Sequence, residues 1–69
     1  MASKADFMKT IRSFVEARGP RQVEQLAKLA DQQWRSLTIA QHSELEAEDY
    51  RVRIYRAGRI ATEREELTQ

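Results

Sequence analysis

The spacing of the apolar residues in the first half of the chain most constrains the fold. They recur every three or four positions, as on one face of an α-helix. This period predicts a first helix over 4–18 and a second over 20–37. Gly19 and Pro20 separate them, because glycine tolerates the backbone of a helix end and proline lacks the N–H that continuation needs but suits a first turn. The apolar residues of the two faces are Phe7, Met8, Ile11, Phe14, Val15, Val23, Leu26, Ala27, Ala30, Trp34 and Leu37.

A third helix is predicted over 44–66. Two segments before it match the capping box that starts helices, TIAQ from Thr38 and SELE from Ser43. Ser43 is the preferred cap, because the acidic residues that follow it suit the positive end of a helix dipole. The interpretation is therefore one long helix that starts after Ser43.

The segment YRVRIYRAGR, residues 50–59, also fits a strand, because apolar and basic residues alternate from Tyr50 to Tyr55. A strand here lacks a second alternating run to pair with, so it requires the same segment of another copy. The flanking residues favour helix. Whether residues 50–55 form helix or an intersubunit strand stays open at this point, with helix preferred.

As a helix, this region has a face of small and apolar residues that suits close packing against another helix, within the chain or in a second copy. These are Ala47, Tyr50, Ile54, Ala57, Gly58 and Ala61. A second apolar row, Leu45 and Val52, lies on the other side of the same helix. One short chain has difficulty covering both rows.

The predicted fold is therefore a single small all-α domain, residues 1–69, of three helices packed as a homodimer. The chain contains no cysteine, so no disulfide stabilises a core of this size, and association is the expected substitute. No apolar run approaches the roughly 20 residues of a membrane span, and the first residues lack the apolar core of a secretory signal. We expect a cytoplasmic protein.

Catalytic and metal-binding chemistry find little support in the sequence. His42 is the only histidine, and with Glu46 it supplies at most half of a metal site. The acidic run ELEAED lacks the spaced ligands and the turn glycine of a calcium loop, and there is no phosphate-binding loop. We expect no enzyme activity, no cofactor, no metal and no small-molecule substrate.

The first functional hypothesis is a regulator that binds another protein, as an adaptor or as an inhibitor that occludes a functional surface. Arginine, tyrosine and tryptophan dominate the energetics of protein interfaces. The predicted partner-binding residues are Trp34, Arg51, Arg53, Tyr55, Arg56 and Arg59. A phage or plasmid is one source considered for such a chain, with a host regulator or enzyme as its partner.

The alternative is a DNA-binding regulator with a helix-turn-helix in residues 21–39. The residues that would read bases are Gln32, Gln33, Arg35 and Ser36. Two observations weigh against it. Residues 22–36 contain neither glycine nor proline for the turn, and the net charge of +1 is far from the basic excess of most nucleic-acid-binding domains.

Overall fold

The computed structural model describes residues 3–68, which form four α-helices and no strand. The helices are α1 (Lys4–Glu16), α2 (Pro20–Ser36), α3 (Ile39–Glu48) and α4 (Tyr50–Thr68). The all-α prediction is confirmed, and residues 50–55 are helical. Within the described range, no helix combines the length and the apolar character needed to span a bilayer.

The bounds of the first two helices agree with the predicted bounds to within two residues at each end. Ser3 caps α1: its hydroxyl accepts a hydrogen bond from the backbone N–H of Asp6, whose carboxylate accepts one from the Ser3 N–H. Gly19 is the N-cap of α2 and Pro20 its first residue, as the dipeptide predicts. The local sequence is therefore sufficient to place the turn between α1 and α2.

The predicted long helix over 44–66 is wrong, because the region is divided at Asp49 into α3 and α4. Thr38, not Ser43, caps the earlier helix. Its hydroxyl lies 3.1 Å from the backbone nitrogen of Gln41, whose side-chain oxygen lies 2.9 Å from the Thr38 nitrogen. Ser43 is thus inside α3, and the three-helix description becomes a four-helix one.

Asp49 makes the break. Its backbone is extended, with φ of −140° and ψ of 115°. Its carboxylate accepts a hydrogen bond from the backbone N–H of Arg51 at 2.9 Å and forms an ion pair with the Arg51 guanidinium at 2.7 Å. Aspartate is among the best residues at such a position, because its side chain satisfies N–H groups that a helix start leaves unpaired.

Two of the acidic residues that suggested a helix start, Glu44 and Glu48, lie along α3 and pair with Lys4 of α1 instead. The Lys4 ammonium is 2.6 Å from the carboxylate of Glu44 and 3.7 Å from that of Glu48. These contacts raise the pKa of Lys4, chiefly through the hydrogen bond to Glu44. A contact across 40 positions of sequence is what a local pattern cannot reveal.

The core collects side chains from all four helices, and α1 packs against both α2 and α4. The Phe7 ring is central, with its centroid 5.2 Å from that of Trp34 and 6.2 Å from that of Tyr55. The buried apolar residues are Phe7, Ile11, Ala30, Trp34, Leu37, Leu45, Val52 and Tyr55. The core is therefore formed by contacts between residues that are distant in sequence.

The side of α4 that faces the core is opposite to the packing face predicted from the sequence. Val52 is fully buried, whereas Tyr50 and Ile54 are 69 % and 63 % exposed. The whole predicted packing face is exposed, namely Ala47, Tyr50, Ile54, Ala57, Gly58 and Ala61. Packing of that face within the chain is therefore excluded, and packing against a second copy stays a prediction.

Candidate functional site

An open groove of about 590 Å³ lies between α2 and α4. The end of α1 contributes Phe14 to it. Its apolar lining is Phe14, Pro20, Val23, Ala27, Ile54, Tyr55 and Gly58, and its polar lining is Glu24, Lys28, Arg59, Thr62 and Glu66. The groove follows α4 from Ile54 to Glu66, about 18 Å or a little over three helical turns.

One polar joint closes an end of this groove. The Tyr55 hydroxyl donates a hydrogen bond to the Asp31 carboxylate and lies 3.3 Å from the carbonyl oxygen of Ala27. Arg59 places a guanidinium nitrogen 2.8 Å from the other Asp31 oxygen. Asp31 comes one turn after the last groove residue of α2, Lys28, so the joint fixes α4 to α2 at that end.

The environment of the joint keeps Tyr55 in its neutral, hydrogen-donating form. Burial raises the pKa of its phenol well above the ordinary value, and the hydrogen bond to the Asp31 carboxylate raises it further. The Arg59 Nε is buried and has no hydrogen-bond partner among the described residues. One wall of the groove thus contains a buried cationic donor whose hydrogen-bonding capacity is not filled.

Two of the predicted partner-binding residues are part of the core. Trp34 and Tyr55 are 8 % and 6 % exposed, so neither presents its ring to solvent as the sequence-based hypothesis requires. The reason is size, because a chain this short uses its large aromatic rings to fill its own interior. Tyr55 keeps one connection to the surface, since it lines the groove.

The predicted arginines differ in whether they contact residues of their own chain. Three of them contact residues of their own chain: the pairs are Arg51 with Asp49, Arg59 with Asp31, and Arg56 with Trp34. In the last pair the guanidinium carbon lies 5.0 Å from the centre of the tryptophan ring, a cation–π distance. Arg53 is exposed. Three of the four arginines therefore make contacts within the chain, and a partner-binding role for the run stays a prediction.

His42 has a role that the sequence did not suggest. Its ring stacks on Trp34 with centroids 3.9 Å apart and planes within 4° of parallel. Its Nε2 lies 2.6 Å from the Trp34 carbonyl oxygen, so this nitrogen carries a proton and donates. His42 thus lies within α3, half-buried against Trp34. Within residues 3–68 no group of three or more potential ligands could hold a metal ion.

The residues proposed to read DNA lie on one uninterrupted helix. Pro20–Ser36 is continuous, so there is no turn within 22–36 to create a second, recognition helix. Gln32, Arg35 and Ser36 are exposed. The remaining one, Gln33, is half-buried, and its side-chain oxygen is buried without a partner among the described residues. Three of the four therefore lie exposed on α2, and their role in reading DNA stays a prediction.

Residues from both predicted sets meet in the groove. Tyr55 and Arg59 come from the partner-binding set, and Ile54 and Gly58 from the packing set. The α2 side, Val23 and its neighbours, was assigned only to the core, because the separation of α2 from α4 depends on long-range contacts. Comparison with protein-family models, with curated proteins and with solved structures found no match.

Proposed function

We propose that this chain is a small non-enzymatic regulator that holds an apolar segment of a partner protein in the groove between α2 and α4. The observation that carries the proposal is the groove itself, an apolar channel of about 590 Å³ that lies open at the surface. An open apolar surface of this kind is typical of recognition sites. The chain then acts as an adaptor or an inhibitor, because a segment bound there is withheld from other proteins.

The shape of the groove favours a peptide segment over a compact ligand. It is elongated along α4, and a helix of about three turns matches its length of about 18 Å. Phe14, Val23 and Ala27 offer apolar contacts at intervals suited to side chains one turn apart. We therefore propose an amphipathic helix of the partner as the bound segment.

The polar lining gives such a segment a direction. Near the closed end, Arg59 supplies a cationic donor, and toward the open end Glu66 supplies a carboxylate. Lys28 lies 3.5 Å from Glu24 on the opposite wall, an exposed pair that contributes little by itself. An acidic group at one end of the segment and a basic group at the other would complement these charges.

The test is site-specific photo-crosslinking from two positions in the native host. A photoreactive side chain at Thr62 lies in the groove wall, and one at Arg35 lies on an exposed part of α2 outside the groove. We expect one protein to be crosslinked from Thr62 and not from Arg35. The substitution Val23→Glu should abolish this product while circular dichroism shows that the helices remain.

Three outcomes would contradict the proposal: no protein crosslinked at Thr62, equal products at both positions, or a product unaffected by Val23→Glu. If nuclease treatment removes the binding and Arg35→Glu abolishes it, the chain is instead a DNA-binding regulator. A homodimer and a cytoplasmic location, both predicted from the sequence, remain parts of the present proposal.

A further inference from the structure

We infer that two copies of this chain associate through the outer face of α4, with the two helices antiparallel and crossing at Ala57 and Gly58. The outer face consists of Tyr50, Ile54, Ala57, Gly58 and Ala61, all exposed. The centre of this face, Ala57 and Ala61, does not line the groove, whereas Ile54 and Gly58 belong to both surfaces.

The first argument is that α4 is apolar on two sides and only one side is covered. Val52 is fully buried, and Tyr50, Ile54 and Ala61 lie about 160–200° around the helix from it. A helix with one buried face normally presents polar residues on the opposite face. The apolar outer face is therefore suited to burial against another molecule.

The second argument comes from Gly58. A Cβ atom added there would meet nothing within 4 Å, so no close approach inside the chain requires glycine. Glycine in the middle of a helix is destabilising relative to alanine. Without a side chain, this position lets the backbone of another helix come close, which accounts for a residue that the single chain does not need.

The order of large and small residues identifies that other helix as a second, antiparallel copy. With a two-fold axis between Ala57 and Gly58, Ile54 packs over the partner's Ala61, and Ala57 packs over the partner's Gly58. The large side chain of each Ile54 thus meets a small one on either side of the crossing. In a parallel pair Tyr50 and Ile54 would each meet themselves, and the helices would be held apart where their residues are small.

The distribution of charge supports the same arrangement. Residues 50–59 contain four arginines and no acid, whereas residues 60–68 contain three glutamates and Arg64. Two of the arginines, Arg51 and Arg59, also pair with Asp49 and Asp31 of their own chain. Antiparallel pairing places each basic segment beside an acidic one, and it also opposes the helix dipoles.

Single cysteine substitutions test both the surface and the orientation, because the chain has no cysteine of its own. In the antiparallel pair the Ala57→Cys sites lie close together and should form a disulfide-linked dimer on oxidation. The Tyr50→Cys sites are separated by about 22 Å along the helix axis, far beyond the roughly 7 Å between Cα atoms that a disulfide spans. A parallel pair would be linked at both.

Sedimentation equilibrium gives the complementary test. Wild type should be a dimer at high micromolar concentration, and Ala57→Glu should be a folded monomer, because the carboxylate would lie unpaired in the crossing. Ala40→Glu makes the same change on an exposed position of α3 and should stay dimeric. A monomeric wild type or a dimeric Ala57→Glu would overturn the inference, and linkage at Tyr50→Cys would overturn the antiparallel orientation. The partner-binding test is read at Thr62 and Val23, which lie outside this face, so the two proposals can fail separately.

Discussion

The Tyr55 hydroxyl donates a hydrogen bond to the carboxylate of Asp31, a residue 24 positions earlier in the chain. The contact joins α4 to α2 at the closed end of the groove, and the Arg59 guanidinium completes it from the next turn of α4. Fold and candidate site thus share a structural element, since the residues that hold the two helices together also form the groove wall.

Removing the Tyr55 hydroxyl should destabilise the protein without altering its helices. Tyr55→Phe keeps the buried ring but deletes a hydrogen bond to a charged acceptor, a loss of about 1.5–3 kcal/mol in the free energy of unfolding. Urea denaturation followed by circular dichroism measures it. Tyr50→Phe makes the same change on an exposed ring and should be close to neutral. Equal effects of the two substitutions would mean that the bond to Asp31 does not contribute.

Alkaline pH should weaken the fold through the same group. The pKa of Tyr55 is raised from the ordinary 10.0 by burial and then by the Asp31 carboxylate. The unfolded chain therefore releases the proton more readily, so the contribution of Tyr55 to stability is complete below pH 10 and declines as the pH rises above it. The free energy of unfolding of wild type should fall more between pH 9 and pH 11 than that of Tyr55→Phe.

A direct titration checks the cause of that pH dependence. The chain has two tyrosines, so Tyr50→Phe leaves Tyr55 as the only phenol that ionises. Its ultraviolet absorbance change should have a midpoint clearly above pH 10 in the folded protein and near pH 10 in denaturant. A midpoint at the ordinary value in both conditions would contradict the buried, hydrogen-bonded placement.

The helix boundaries show what the sequence can and cannot determine. The corner at Gly19 and Pro20 follows from local chemistry and was predicted. The choice between Thr38 and Ser43 as a cap was not, because both segments match the same pattern and the acids after Ser43 favoured the wrong one. Two of those acids, Glu44 and Glu48, pair instead with Lys4, which is distant in sequence.

The same limit explains the candidate site. Periodicity correctly separates the two apolar rows of α4, but it does not say which row the other helices cover. The division at Asp49 sets that orientation, and Val52 rather than Ile54 reaches the core. The groove was not predicted, because its two walls are joined by contacts between residues distant in sequence, such as those of Asp31 with Tyr55 and Arg59.

Asp49 should determine where α4 begins. Asp49→Ala removes the side chain that accepts from the Arg51 N–H, so the melting temperature should fall by several degrees and the first turn of α4 should exchange its amide hydrogens faster. Asp49→Asn keeps a capping oxygen and should have a smaller effect. If both substitutions leave the melting temperature and the exchange rates unchanged, the capping role is wrong.

The pH dependence of the same residue has the opposite sign to that of Tyr55. The Arg51 guanidinium and backbone N–H lower the pKa of Asp49 below its ordinary 3.8. Its contribution to stability is therefore present above about pH 3.8 and is lost as the pH falls further. Wild type should lose more stability than Asp49→Asn between pH 5 and pH 2, as measured by thermal denaturation.

The arginine run should separate into structural and surface positions when the charges are reversed. Arg59→Glu places a carboxylate beside Asp31 and breaks a pair whose side chains are only 29 % and 17 % exposed. We expect a loss of about 1–3 kcal/mol, between the values typical of exposed and buried pairs. Arg53→Glu alters an exposed residue of the same helix and should stay within about 0.5 kcal/mol of wild type.

A charge exchange tests whether the loss at Arg59 comes from this pair rather than from the packing of its long side chain. Asp31→Lys combined with Arg59→Glu restores opposite charges across the joint, so the double variant should be more stable than the sum of the single effects predicts. Tyr55 loses its acceptor in that variant, so recovery will be partial. Additive losses in this double-mutant cycle would show that Arg59 and Asp31 do not stabilise each other and that the arginine acts through its packing alone.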